Sequence, residues 1–348
     1  MLKSIKKSFK YLVILAGIIM LVPTSTYLLL QIPEVQTYIV KRITAHFSDQ
    51  IKSTITVGRF EYAFFNKLIL ENVLIKDKNL DTLLYSGKVT AGIRKLDLRN
   101  SNIRFGRVRF DRPLVALITD TTGLMNLNWY LDMLASSDTS SAGKKSRISI
   151  DQAELNDARF NLIDRRSRPG KSLIDFGNLH VGRISAEVRN FTVKDDSVNF
   201  RIARLSFIEK NGFAVENFAG RVTLADHDIL FNDIQIKTGK TDLKADNVYL
   251  TADSAGSFAR FNERVRLDIL LRRSIVSSAD LQYFLPFLEG TDETGEVSGR
   301  VTGFVEELKG RNINVRYGAG TLLDCDFDFS GLSSIQDASP EKSKSQSR

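Results

Sequence analysis

Residues 264–271, RVRLDILL, decide the fold class of this chain. Apolar residues occupy every second position from Val265 to Leu271, and Arg266 and Asp268 lie between them. Successive side chains of a β-strand point to opposite faces, so this pattern predicts a strand with one apolar and one polar face. Residues 323–329, LDCDFDF, alternate in the same way and predict a second such strand.

The same alternation recurs along most of the chain. It is clear in residues 183–189, and shorter examples occur at residues 68–70, 73–75, 89–93, 148–150, 198–202 and 234–236. Turn-forming residues separate these segments at 77–79, 100–102, 195–197, 210–212 and 237–239. The sequence therefore predicts a mostly β protein, built as an elongated antiparallel β-sheet with one or two short helices.

Helical periodicity is confined to three places. After Pro33, apolar residues recur every four positions at Val35, Ile39, Ile43 and Phe47, which predicts a short amphipathic helix. A second apolar stripe spans residues 124–134. A third spans residues 281–288, with Ser278 as its predicted N-cap and Pro286 limiting its regularity.

The N-terminus predicts a membrane anchor. Residues 11–32, YLVILAGIIMLVPTSTYLLLQI, carry no charge and would span about 33 Å as a helix, enough to cross a bilayer core. Residues 1–10 contain four lysines, which predicts a cytoplasmic N-terminus with the bulk of the chain on the opposite side. The alternative is a cleaved signal peptide, but no small-residue cleavage pattern follows the apolar run.

Composition narrows the function classes. Cys325 is the only cysteine and there are three histidines, so neither an intramolecular disulfide nor a cysteine-based zinc site is possible, and no catalytic or metal-binding motif is present. We therefore expect no catalytic residues, no metal, no cofactor and no enzymatic activity. The net charge of +8 is concentrated at the N-terminus and in residues 94–112, which is not the distributed basic stripe of a nucleic-acid-binding protein.

These signals divide the chain into six segments. In order, they are a basic cytoplasmic tail, a transmembrane anchor, a first β segment that begins with the juxtamembrane helix, a serine-rich linker, a second β-rich groove segment, and a disordered tail that could mark a truncation. Their bounds are 1–10, 11–32, 33–135, 136–146, 147–332 and 333–348.

A long sheet with one apolar face must cover that face. Pattern alone leaves two solutions open: a second sheet, giving a membrane-anchored β-sandwich scaffold or adhesion module, or lipid acyl chains in an open groove. The candidate groove residues occupy the apolar positions of the three predicted strands with the clearest alternation, at residues 183–189, 264–271 and 323–329. They are Ile184, Val188, Val265, Leu267, Ile269, Phe327 and Phe329. The candidate headgroup contacts are the arginines of the basic stretch, Arg104, Arg107, Arg109 and Arg112.

Three stretches carry a family resemblance. QIPEVQTYIVKRITAHF (31–47) follows the apolar segment, and residues 54–89 contain the pattern F-N-x-L-x-L-x-x-V-x-I-x-D followed by D-T-L-L. Residues 268–332 include DILLRRSIVSSADLQYFLPFLEG and VSGRVTGFVEELKGRNINVRYGAGTLLDCDFDFSGL. Together they resemble the AsmA-like family, particularly the N-terminal part of the TamB-type inner-membrane subunits of the translocation and assembly module.

The resemblance implies a periplasmic β-taco, a folded sheet enclosing a hydrophobic groove, anchored in a bacterial inner membrane by one helix. Members of the family act in envelope biogenesis, through phospholipid transfer between membranes and through outer-membrane protein assembly and secretion. The implied partners are the inner-membrane bilayer, bound phospholipid and an Omp85-type barrel, with no nucleic acid. This chain is much shorter than TamB-type proteins and lacks the C-terminal region through which they are thought to meet the barrel.

Overall fold

A computed structural model describes residues 29, 31–50, 53–63, 66–97, 102–128, 147–167, 173–194, 197–225, 227–253, 257, 261–318 and 320–330. Almost all of the predicted anchor, the predicted linker and the predicted C-terminal tail lie outside these residues. Within them, no helix has the length and apolar character needed to cross a membrane.

The described strands form one sheet. Fourteen of them follow one path in sequence order, and β5 pairs with β3 and β6 beside that path. The strands are β1 (Ile55–Ala63), β2 (Lys67–Lys76), β3 (Thr82–Asp97), β4 (Asn102–Asp111), β5 (Leu114–Thr119), β6 (Arg147–Asp164), β7 (Asn178–Lys194), β8 (Ser197–Glu209), β9 (Ala214–Ala225), β10 (Asp228–Lys237), β11 (Asp242–Ala252), β12 (Val265–Ser277), β13 (Thr294–Phe304), β14 (Glu307–Tyr317) and β15 (Thr321–Ser330). The predicted mostly β architecture, built as one elongated sheet, is thus confirmed.

One junction departs from the predicted antiparallel order. β4 and β5 both pair with β6 in parallel, in one continuous register that is interrupted only at Arg112 and Pro113. The connection between β5 and β6 covers residues 120–146, which is long enough for the crossover that a parallel pair requires. The β segments on either side of the predicted linker are therefore hydrogen-bonded parts of one sheet.

The helices are short and partly differ from prediction. Helix α1 spans Pro33–Gln50 and begins at the predicted proline, α2 spans Phe261–Arg264 and α3 spans Ser278–Leu281. The N-cap of α3 is Ser277 rather than the predicted Ser278, since the Ser277 hydroxyl accepts the Ala279 N–H at 3.2 Å. A separate 3-10 helix covers Pro286–Leu288, because proline cannot continue the α-helical hydrogen bonds.

Helix α1 covers the free edge of β1 with polar side chains. The Thr37 hydroxyl accepts the N–H of Phe60 at 3.0 Å and donates to its carbonyl at 2.9 Å. Gln36 lies beside Tyr62 in the same way, accepting its N–H at 2.6 Å through Oε1. Ile39, a member of the predicted apolar stripe, is 39% exposed, whereas Gln36 is 8% exposed, so the polar residue is the more buried of the two. These side chains satisfy edge groups that would otherwise be open to another strand.

Bulges with left-handed backbone bend the strands at related positions. Asn190 in β7, Asp233 in β10 and Asn312 in β14 have φ between 51° and 54°, and each lies where the strand register shifts. Asn and Asp tolerate this conformation better than most side chains. Each bulge inserts one extra residue into its strand. Apolar residues on the two sides of a bulge are therefore three positions apart in sequence and still lie on the same face of the sheet.

Candidate functional site

The apolar face is organised in rows that run across the strands. The phenylalanine row crosses every strand on the main path from β3 to β15, through direct Cα pairing at each junction except β7–β8, where the Phe191 and Phe200 rings lie 6.0 Å apart. It consists of Ile93, Phe105, Ile150, Phe191, Phe200, Val222, Phe231, Val248, Ile269, Val301, Gly310 and Phe327.

Next to this row lies a floor row of smaller side chains. It consists of Ala91, Val108, Ala153, Val188, Ile202, Gly220, Ile234, Ala245, Leu271, Gly299, Ile313 and Cys325. Most of its members are buried; Ala245 is fully buried and Ile234 is 3% exposed. The bulges at Asn190, Asp233 and Asn312 lie between the floor row and the phenylalanine row, so the strands bend along this line.

Two glycines make room for the bulges in the floor row. A Cβ on Gly220 would lie 2.5 Å from Cδ1 of Ile234, and a Cβ on Gly299 would lie 2.6 Å from Cδ1 of Ile313. Each isoleucine follows a bulge residue and covers the glycine on the neighbouring strand. Glycine is required at position 299, where φ is +138° and a Cβ would also lie 2.7 Å from the backbone oxygen of Asn312. At position 220 a Cβ would displace the end of the Ile234 side chain.

Larger side chains flank these two rows. On one side, the leucine row contains Leu70, Val89, Phe110, Leu155, Ala186, Leu205, Phe218, Ile236 and Leu243. On the other side, the outer row contains Ile103, Ile148, Val193, Val198, Leu224, Ile229, Leu250, Leu267, Gly303, Leu308 and Phe329. The four rows form a bent apolar surface, the trough, with its most buried side chains along the floor row.

The large side chains of the trough are only half covered. Among the phenylalanines whose side chains the structure describes, none is buried. Every described strand belongs to one sheet, and the described helices make their main strand contacts at β1, β12 and β13. Within the described residues, the trough therefore has no second sheet packed over it.

All seven predicted groove residues lie on the apolar face. Val188 is in the floor row, Ile269 and Phe327 are in the phenylalanine row, and Leu267 and Phe329 are in the outer row. Their exposure differs. Val265 is fully buried and Leu267 is 9% exposed, Phe329 is 51% exposed, and Ile184, Val188, Ile269 and Phe327 are half-buried. The half-buried positions are the ones that a ligand in the trough would contact.

All four predicted headgroup arginines are exposed. Arg104, Arg107 and Arg109 lie on the polar face, behind the trough, beside carboxylates of β6. Arg104 donates to Asp151 at 2.9 Å, and Arg109 donates to Glu154 at 2.8 Å. Arg107 also lies beside Glu154, whereas Arg112 lies at the junction of β4 and β5. The sequence did not indicate these ion pairs because the acidic partners belong to β6, which pairs with β4 only through the parallel crossover.

Basic side chains also surround a depression of about 630 Å³ on the polar face. Its lining consists of Lys67, Lys88, Thr90, Gly92, Arg107, Arg109 and Asp111. Lys88 lies 3.4 Å from Glu71, and both arginines contact Glu154, so carboxylates balance much of this charge. The depression is separate from the trough, which is an open surface on the other side of the sheet.

Arginine–carboxylate pairs cross the junctions of the last four strands on the polar face. Arg300 on β13 donates to both carboxylate oxygens of Asp268 on β12, at 2.8 and 2.6 Å, and lowers the pKa of that carboxyl. Arg311 on β14 lies 2.6 Å from Asp328 on β15 and lowers the pKa of Asp328 by hydrogen bonding and charge. The polar face is thus held by charge pairs between strands.

Within the described ranges, no group of His, Cys, Asp or Glu residues could hold a metal ion. A scan of the sequence against models of known protein families finds no match, and neither does a search of curated proteins.

Proposed function

We propose that this chain is an envelope-biogenesis protein of the AsmA/TamB type that holds or transfers phospholipid, with acyl chains lying in the trough. The observation that carries the proposal is the continuity of the phenylalanine and floor rows from β3 to β15, with half-exposed phenylalanines. At about 4.8 Å per strand, eleven steps give a track on the order of 50 Å. The proposal assigns no catalysis to the chain.

Apolar contact supplies the free energy in this proposal. Covering the half-exposed side chains with an acyl chain gains about 25 cal/mol per Å² of apolar area removed from water. Adjacent positions along each row are chemically similar, so a chain can shift along the track without breaking a specific polar contact. This property favours transfer over storage in a single closed pocket.

The predicted β-sandwich scaffold has less support, because the described strands form one sheet instead of two facing sheets. The membrane anchor at residues 11–32 and the inner-membrane, periplasmic location remain parts of the proposal. So does assistance to an Omp85-type barrel. The proposed headgroup role of Arg104, Arg107 and Arg109 needs a lipid other than the one in the trough, since these side chains lie on the polar face behind it. The headgroup role of Arg112, at the junction of β4 and β5, remains part of the proposal.

Site-specific photocrosslinking in cells tests the proposal on the full chain. A benzophenone amino acid replaces Phe231, a half-buried member of the phenylalanine row on β10. The matched control replaces Tyr249, an aromatic residue on the neighbouring strand whose hydroxyl donates to Asp228 on the polar face. After irradiation, mass spectrometry of the purified protein identifies any attached lipid.

We expect phospholipid adducts at position 231 and few or none at position 249. Absence of adducts at position 231, in protein that remains folded, would overturn the proposal. Equal labelling at both positions would also contradict it, because it would indicate general exposure to membrane lipid instead of occupancy of the trough.

A further inference from the structure

The two edge strands of the sheet differ in whether described residues cover their outward backbone groups. At β1, the side chains of Gln36 and Thr37 bond to the backbone of Phe60 and Tyr62, so helix α1 covers that edge. At the other end, β15 pairs with β14 on one side, and no described residue pairs with its other side. Alternate N–H and C=O groups of β15 therefore point away from the sheet along its length.

The apolar side chains of β15 could also pack against those of an added strand. On the apolar face, the rows reach this edge with exposed residues; Leu323 and Phe329 are each 51% exposed. The Phe327 and Phe329 rings lie 4.7 Å apart, and Phe327 covers Gly310 of β14. The apolar surface thus continues to the last described strand without a polar boundary.

The polar face of β15 is acidic. Asp324, Asp326 and Asp328 alternate along it, and Asp328 pairs with Arg311 of β14. Asp326 accepts the backbone N–H of Asn312 at 2.8 Å. Asp324 has no ion pair with any residue in the described part of the chain. Each preceding junction from β12 onward is crossed by an arginine–carboxylate pair, so a basic strand is the chemical continuation of this series.

We propose that the free edge of β15 binds an extended segment of another polypeptide as an added β-strand. This segment carries lysine or arginine on the polar face, opposite the aspartates, and apolar side chains over the trough. Such strand addition obtains affinity from backbone hydrogen bonds and specificity from alternate side chains. The inference is independent of lipid binding, since it depends on the edge and its charges.

A second copy of this chain is the weaker occupant. Antiparallel pairing of two β15 edges would place the acidic faces of both copies side by side, and like charges directly opposite one another destabilise a sheet. The aspartates thus discourage self-pairing at an edge that is otherwise open, a known device against sheet aggregation. The same charges select a basic partner.

Binding of synthetic peptides to the purified full chain tests the inference. The probe is a fluorescent ten-residue peptide with valine and isoleucine at alternate positions and lysine between them; a second peptide has glutamate in place of lysine. A third, lysine-containing peptide carries an N-methyl group on every residue, so it has no backbone N–H to donate and cannot form the ladder at either edge. Fluorescence anisotropy measures affinity, and hydrogen exchange reports protection of the β15 amides.

We expect the lysine peptide to bind at least about tenfold more tightly than the glutamate peptide, against the overall net charge of +8. The N-methylated peptide should not bind, and protection should appear at β15 but not at β1. Asp324→Lys, at an exposed position without an ion pair in the described residues, converts one attraction into a repulsion and should weaken the lysine peptide about two- to thirtyfold.

Three results would overturn the inference. The first is tighter binding of the glutamate peptide, and the second is unchanged affinity in a folded Asp324→Lys variant. The third is concentration-dependent dimerisation of the chain with protection of β15 and no peptide binding, which would identify a second copy as the occupant. A triple variant, with lysine at positions 324, 326 and 328, should reverse the peptide preference.

Discussion

Replacing Val188 by aspartate places a charge in the floor row at the centre of the sheet. Val188 is half-buried and pairs with Ala153 on β6 and Ile202 on β8, so an acyl chain in the trough must pass over it. The matched control is Thr192→Asp, which introduces the same carboxylate on the polar face of the same strand. Valine and threonine have similar shapes, so the two changes differ mainly in the face that receives the charge.

The expected loss of lipid affinity has two limits. If the acyl chain avoids the carboxylate, the loss is the contact made by one valine, about 1.5 kcal/mol. If the chain covers it, the carboxyl must become protonated, and moving from a pKa of about 3.9 to pH 7 costs about 4 kcal/mol. These limits correspond to roughly tenfold and thousandfold weaker binding.

Titration of the full chain with a phospholipid that carries a fluorescent acyl chain measures this effect. Circular dichroism and urea unfolding identify variants that have lost the fold, and Val188→Asn separates the charge from the change in packing. Unchanged affinity in folded Val188→Asp, or an equal loss in Thr192→Asp, would refute the proposed path over the floor row.

Three further predictions concern stability. Gly299→Ala should lower the free energy of unfolding by about 1–3 kcal/mol, because φ is +138° and the added Cβ meets a neighbouring side chain; Gly239→Ala, in open space, should leave the urea midpoint nearly unchanged. Thr37→Val removes both edge hydrogen bonds and should cost about 1–3 kcal/mol in the same measurement, whereas Thr37→Ser should retain most of the stability. The folded-state pKa of Asp268 is lowered by Arg300, so this pair stabilises the fold above about pH 4 and loses its effect as pH falls through the lowered value. Asp268→Asn should therefore reduce the acid-dependent loss of stability, and an unchanged pH profile would contradict this.

Local alternation was sufficient to predict the strands and their apolar faces. Residues 265–271 and 323–329 lie within β12 and β15, and every predicted groove residue is on the apolar face. The turn at residues 77–79 also follows from local chemistry, since Asp77 accepts the N–H groups of Asn79 and Asp81. These features depend on a few consecutive residues, so a single sequence contains the necessary information.

Features that depend on paired strands could not be predicted in this way. The apolar phase shifts by one residue at Asn190, Asp233 and Asn312, and the shift acquires meaning only when the neighbouring strand is known. An Asn or Asp at a phase shift, paired in space with a glycine such as Gly220, is the signal that could have indicated the bend. The contact of Gln36 with the edge of β1 could not be predicted either, because the pattern of a single helix does not predict that a glutamine is buried.

The order of the strands has a consequence for how the protein can vary. From β6 to β15 each strand pairs with its neighbours in sequence, so every hairpin is a repeating unit that contributes two positions to the phenylalanine row and two to the floor row. Removing or inserting one hairpin would keep strand direction and row alignment while changing the track by about 10 Å. The number of hairpins thus sets the length of the apolar track, independently of the structures at the two ends of the sheet.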